Sequence, residues 1–424
     1  MRNNRDAHPH FPPHSPSQIC SDTMTLVKPS TALSIVPSSS IRYRVKILAL
    51  VLALSVYSNS IRERTWLYRE AVLPPSKSPW NHLFHFGDPS SFLLMTGLTR
   101  EAFGMLHNIL KPPGHPDLPK QKGRKWSLSS EGQLGLFLFY IGSTMNYKFL
   151  CVIFGITPNP CSRMLRNMLK LVVRRLHHHP LAKIEFPTPE KMALFASMVQ
   201  NREAAIDDVI GFMDGVALKT ECTSERVTQN AFYSGYECDT VVNNVFTYGP
   251  DGKVFLAAIN FPGSWADGSL CARFLDSIRR RIGHYKICVD QGFPRSGDAW
   301  NILVGPMNER SARRLHPTMR DYLLRLSNVY VSLRQSSEWG MRALQASFPR
   351  SKKRLPSDAK QRRYVVESIV LTHNFRTSIV GRNQIKTVFE PEYERYINLE
   401  GYDRIGQYYL RPEDFNSDCD DNNI

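Results

Sequence analysis

The chain is 424 residues long, 42% hydrophobic and 11% aromatic, with a formal net charge of +16 and a pI of about 9.5. This composition excludes a chain disordered throughout and allows two or three domains, while the charge points to a polyanionic partner, nucleic acid first and an anionic membrane surface second. A basic but otherwise ordinary enzyme is not excluded by charge alone.

The eight cysteines stand at 20, 151, 161, 222, 238, 271, 288 and 419. No pair has CxxC spacing, so neither a zinc ribbon nor a thioredoxin-type motif is supported, and a reducing compartment is expected. Residues 1–40 are rich in Pro, Ser, His and Asn without a hydrophobic period and read as a disordered leader. The apolar run from Ile47 to Tyr57 holds eleven residues, against the roughly 20 that span a bilayer. It reads as a buried helix, with a membrane anchor as the alternative. Helical stretches continue to about 110, interrupted at Pro74-Pro75 and Gly87-Asp88-Pro89. A loop at 111–125 carries Lys120, Lys122, Arg124 and Lys125.

Residues 134–141 and 148–154 read as helices, 156–160 as a turn with a helix-start signal, and 161–177 as a third helix. In that third helix Met164, Leu165, Met168, Leu169, Val172, Val173 and Leu176 form an apolar stripe. Opposite it stand Arg163, Arg166, Lys170 and Arg174, spaced three, four and four apart. Helix, turn and basic helix in this order are similar to a helix-turn-helix that binds DNA; an ordinary solvated face is the alternative. His177, His178 and His179 point in different directions on a helix, which argues against a shared metal. The whole of 41–205 is expected to be helical.

From about 206 the pattern turns to strands. Residues 209–213 form an apolar run ending at Asp214, and 239–248 and 253–261 are strands joined by the turn Gly249-Pro250-Asp251-Gly252. A helix follows Asp267, through Arg273, Phe274 and Ile278; 285–289 is a buried strand ending at Asp290. A basic insertion at 308–325 carries Arg310, Arg313, Arg314 and Arg320. One helix then carries Glu338 and another runs from about Arg362 to Phe375. The order predicts an α/β fold, a mixed sheet layered with helices over 206–391, followed by a C-terminal tail at 392–424 that is acidic, polar and frayed after Pro412.

Asp214 and Asp290 share a context: each ends an apolar strand and is followed closely by glycine, Gly215 and Gly292. Side by side, two such carboxylates repel and have raised pKa values or share a cation. Hard oxygen ligands suit Mg²⁺ or Mn²⁺, and two such ions can activate water, polarise a scissile phosphate and stabilise the leaving oxygen. Glu338 is placed to close the site from its helix. Taken singly, each acid reads more simply as a turn residue or a cap. Asp267 is equally a helix N-cap or a fourth acidic ligand. Arg279, Arg280 and Arg281 and the run Lys352-Lys353-Arg354 are candidate phosphate contacts, and the latter also resembles a short nuclear-import signal.

Several ordered motifs carry a resemblance. They are Gly-Phe-Met-Asp-Gly at 211–215, Asn-Ala-Phe-Tyr-Ser-Gly-Tyr at 230–236, Pro-Gly-Ser-Trp-Ala-Asp at 262–267 and Val-Asp-Gln-Gly-Phe-Pro-Arg at 289–295. Arg-Gln-Ser-Ser-Glu-Trp-Gly-Met-Arg-Ala-Leu-Gln at 334–345, Leu-Thr-His-Asn-Phe-Arg-Thr at 371–377 and Val-Gly-Arg-Asn-Gln-Ile at 380–385 follow. From Gly211 to about Pro391 the chain resembles the DDE endonuclease domain of Harbinger-type transposases, in the form seen in fungal genomes. The resemblance implies an RNase H-like fold and a divalent-metal-dependent nuclease that cuts double-stranded DNA at transposon ends and joins them to target DNA in the nucleus. It implies Asp214, Asp290 and Glu338 as catalytic metal ligands, and Asp267 as an additional one. A Myb-like accessory protein is an expected partner by resemblance, and self-association is a further expectation. The sequence departs from many relatives at Ala266, where they have His, and at Val216, where a polar or small residue is common. A domesticated, non-cleaving nuclear DNA-binding or adaptor protein is the rival reading.

Overall fold

A computed structural model describes residues 46–55, 67–110, 127–295, 297–307, 313, 316–381 and 383–389. The expected leader, the loop at 111–125, Arg310 and Arg314 of the basic insertion, and the tail lie outside them. The chain divides into two compact units, Met1–Trp66 and Leu67–Ile424. In the first, residues 46–55 form a helix, as the apolar run predicts, but all ten are exposed. This corrects the expectation of a buried helix. The segment is apolar on every side, so it has no polar face to set against a core-facing one. Among the described residues, no helix is long and apolar enough to cross a membrane.

The second unit opens with helices whose starts follow from local chemistry. They are α1 (Pro79–Phe86), α2 (Pro89–Thr96), α3 (Arg100–Leu110), α4 (Ser130–Ile141), α5 (Tyr147–Phe154), α6 (Pro158–Leu176) and α7 (Pro189–Arg202). Proline opens α1, α2, α6 and α7, where its missing N–H is not needed and its φ is already helical. Ser78, Asp88, Ser129 and Thr188 accept hydrogen bonds from first-turn N–H groups that have no partner within the helix. The helix α6 buries Met164, Leu165, Met168, Leu169, Val172 and Leu176 and leaves Arg166, Lys170 and Arg174 exposed. The predicted stripe and basic face are therefore both present, although Val173 and Arg163 sit half-buried at the boundary.

The remaining elements in chain order are β1 (Val209–Lys219), α8 (Arg226–Phe232), β2 (Tyr233–Ser234), β3 (Asp239–Tyr248), β4 (Val254–Pro262), α9 (Asp267–Ile282), β5 (Lys286–Val289) and β6 (Leu303–Val304). Three further helices follow: α10 (Pro317–Ser347), α11 (Ala359–Val380) and α12 (Gln384–Phe389). β1, β3 and β4 form an antiparallel meander; β5 joins the free edge of β1 in parallel, and β6 joins β5 in parallel. This mixed sheet, flanked by helices and preceded by a helical region, is RNase H-like. The hairpin between β3 and β4 closes as the turn residues predict: Gly252 takes φ +75, which glycine adopts without strain.

A buried polar network on α11 ties the helical region to the sheet. Asn374 accepts from the N–H of Val254 (2.8 Å) and donates to the carbonyls of Val254, Ala182 and Lys183. His373 faces the carbonyl of Gly252 at 3.2 Å, and Asn383 donates to the same carbonyl. Arg376 reaches the carbonyl of Gly97 and Ser347 Oγ. One continuous apolar core accompanies this network, from Trp80 in α1 to Phe389 in α12.

Candidate active site

The register places the first two acids. β1 and β5 run parallel with Met213 beside Val289, so Asp214 and Asp290 are the next residues on neighbouring strands. β5 ends at Val289, whereas β1 continues to Lys219. Asp214 therefore does not end its strand, as the sequence suggested; it sits in mid-strand, paired with Phe246 of β3 on one edge, at the point where β5 gives out on the other. Beyond that point β1 lacks its neighbour, and the sheet opens a notch into which carboxylates can project. The N–H of Gly215 donates to Asp214 Oδ1 at 2.8 Å.

Glu338 arrives on α10, which packs across β1 and β5. Val216 and Leu218 of β1, two and four residues past Asp214 on the same strand face, line one cavity with Met341 and Leu344 of α10. That contact brings the preceding turn of α10, with Glu338, toward Asp214. It also accounts for an apolar residue at 216: the position is roofed by a helix. Gly340 fixes how closely the helix approaches, since a Cβ there would lie 2.8 Å from the ring of Tyr248.

Arg334, one turn before Glu338, joins the acids. Its Nη1 lies 2.8 Å from Glu338 Oε1 and 3.4 Å from Asp290 Oδ1. Burial pushes the Asp214 carboxyl up to about 6; the Gly215 N–H opposes this, Asp290 and Glu338 add to it, and Arg334 partly offsets them. Asp214 therefore senses both other acids and Arg334, with its own burial the largest influence. Among the described residues, no three acidic, histidine or cysteine groups gather closely enough to hold a metal ion; Arg334 lies between two of the acids instead. The donor types, carboxylates beside the point where β5 ends within the sheet, are those that suit a hard divalent cation.

The other candidates separate into two groups. Asp267 is the first residue of α9, and its side chain is outside the described set. The N-cap is Ala266, so the N-cap reading of Asp267 is corrected by one position. The start of α9 follows Pro262, which is level with Val242 and through it with Leu218, at the end of the sheet toward which β1 runs past Asp214. Arg279, Arg280 and Arg281 close the last turn of α9, which leads to the start of β5. They therefore stand at the opposite end of the sheet from the carboxylates. Arg279 pairs with Asp276 at 3.4 Å, and the Arg281 guanidinium lies 4.7 Å from the Phe186 ring centroid. Arg354 of the Lys352-Lys353-Arg354 run is engaged with Asp239 at 2.9 Å. His177 meets Glu367 at 3.3 Å.

Arg334 stands in a motif that does not itself mark the arginine as functional. The signal that singles it out is its spacing of four from Glu338 on a helix, which puts both on one face. Residues 213–374 match the family model described as DDE superfamily endonuclease. That stretch contains Asp214, Asp267, Asp290, Glu338 and Arg334. No curated protein and no solved structure gives a significant match.

Proposed function

We propose that the chain is a divalent-metal-dependent DNA endonuclease of the transposase type, in the Harbinger-like form that the ordered motifs resemble, acting in the nucleus. The observation that carries the reading is the register that sets Asp214 and Asp290 on neighbouring strands where β5 ends, with Arg334 of α10 bridging Asp290 and Glu338. The family match over 213–374 supports it. Mg²⁺ or Mn²⁺ held by Asp214, Asp290 and Glu338, with Asp267 as a further candidate ligand, would supply Lewis-acid activation of water and of the scissile phosphate.

The chain's own residues do the positioning. Asp214 is oriented by the Gly215 N–H. Arg334 holds Asp290 and Glu338 in one arrangement and offers further N–H donors to a phosphate oxygen. The exposed cations Arg166, Lys170 and Arg174 on α6, with Arg163 beside them, are the proposed duplex contacts. Arg279, Arg280 and Arg281 form a second, separate basic site. Hydrolysis at an element's end would free a 3′ hydroxyl, which joins to target DNA at the same carboxylates.

The test is DNA nicking with Mg²⁺ or Mn²⁺, comparing wild type with Asp290→Asn and Glu338→Gln. Cleavage by wild type and at least 100-fold loss in both variants is expected. Cleavage that survives both substitutions refutes the site, and retained DNA binding without cleavage by any form favours the non-cleaving adaptor.

A further inference from the structure

A groove of about 210 Å³ lies between α6 and the start of α11, away from the carboxylates. Its aromatic side is made by Tyr140, Tyr147 and Tyr364, and its charged side by Arg166, Lys170 and Lys360. The rings of Tyr140 and Tyr147 are 5.8 Å apart, and the Arg350 guanidinium lies 4.3 Å from the Tyr140 centroid and 5.9 Å from that of Tyr147. This stack holds the aromatic wall in place. The acid at the rim, Asp358, caps α11 through the Gln361 N–H and leaves the lining with three cations to one carboxylate. The positive end of the α11 dipole faces the same opening.

We propose that this groove is a nucleotide site: it takes one unstacked nucleotide of a DNA strand, the base against Tyr147 and Tyr364, with the buried Tyr140 behind them, and the phosphate toward Lys360, Lys170 and Arg166. Size and chemistry favour this occupant. The volume is below the roughly 300 Å³ of a complete small-molecule pocket, but it suits one planar base with its phosphate at the rim. Aromatic faces beside cations recognise single-stranded nucleic acid irrespective of sequence. The position also suits it. Pro356 of the groove follows Leu355, which bridges to Thr220, six residues beyond Asp214 along β1. At about 3.3 Å per residue that is roughly 20 Å from the carboxylates.

The inference rests on the DNA reading above, and one experiment separates the two. The full chain is titrated with a blunt duplex and with the same duplex carrying a single-stranded overhang that contains 2-aminopurine. Wild type is expected to bind the overhang probe about tenfold more tightly than the blunt one, with quenching of the 2-aminopurine as it stacks. Tyr364→Leu and Lys360→Ala should remove that preference and the quenching while leaving blunt-duplex affinity within about twofold. Tyr364→Phe, which keeps the ring, should retain both. A wild type that binds both probes alike, variants that keep the preference, or variants that lose both affinities equally overturn the nucleotide site. An acidic peptide that displaces the overhang probe without DNA preference overturns it in favour of a protein ligand. Salt-sensitive blunt-duplex binding that persists in those cases leaves the DNA reading standing, and its absence in wild type refutes both.

Discussion

At the scale of single residues, Asp214 makes a claim about stability that is independent of activity. Its carboxyl ordinarily titrates near 3.8 and in the fold is pushed up to about 6, chiefly by burial. The folded state therefore binds the proton more tightly than the unfolded one. Stability falls as pH rises from about 4 to 6, and the full cost persists above that window. Asp214→Asn should raise Tm at pH 7.5, by about 1–3 kcal/mol of stability, with the gain vanishing near pH 3.5; a thermal melt series across pH checks it. Arg334 predicts the opposite sign. Removing it leaves Asp290 and Glu338 without their shared cation, so Arg334→Gln should lower Tm at pH 7.5, and less so in high salt, where their repulsion is screened. Asp214 and Asp290 were legible because each follows an apolar run and stands in a family motif, although the strand at Asp214 continues to Lys219. Arg334 was not, because an arginine on a helix reads first as solvated surface until its neighbours across the sheet are known.

At the scale of elements, α10 sets the geometry of the site, and Gly340 sets α10. Gly340→Ala places a Cβ 2.8 Å from the rigid Tyr248 ring, which is packed under the helix with its hydroxyl toward Met341 Sδ at 3.5 Å. The helix has to lift or the ring shift, at a cost of about 1–3 kcal/mol. Urea denaturation should show that loss, and nicking should fall more than stability alone explains, because Glu338 lies two residues away. Long periodic or well-punctuated elements were readable: the hairpin of β3 and β4 follows its Gly-Pro-Asp-Gly turn, and α6 follows its stripe. The two-residue strands β2 and β6 were not, since their pairing with β3 and β5 leaves no periodic signature in so short a run. The length of α10 was also hidden, because its first residues, Pro317 to Arg325, lie in a stretch whose arginines suggested an insertion.

At the scale of the whole molecule, the helical region and the sheet behave as one body from Leu67 onward. Asn374 alone makes hydrogen bonds to β4 and to the segment between α6 and α7. Asn374→Ala leaves these buried groups unpaired and should cost about 2–4 kcal/mol, seen as one cooperative shift of the urea transition with no separate unfolding of the helical part. Burial pushes His373 beside it down to about 4, so folding stability falls as pH drops from about 6.5 toward 4, where the unfolded chain takes up the proton first, opposite in sign to Asp214. Sequence patterning shows where helices give way to strands near 206. It does not show that polar side chains 170 or more residues later bind across that change.

The helix α9 has one more consequence. It begins at the end of the sheet toward which β1 runs past Asp214 and carries three arginines in its last turn, at 279–281. At 1.5 Å per residue, Asp267 to Arg280 is about 20 Å, or about six base pairs of duplex at 3.4 Å each. On the proposed DNA reading, a duplex shorter than that length cannot run from the start of α9 to the Arg279–281 cluster, and a longer one can.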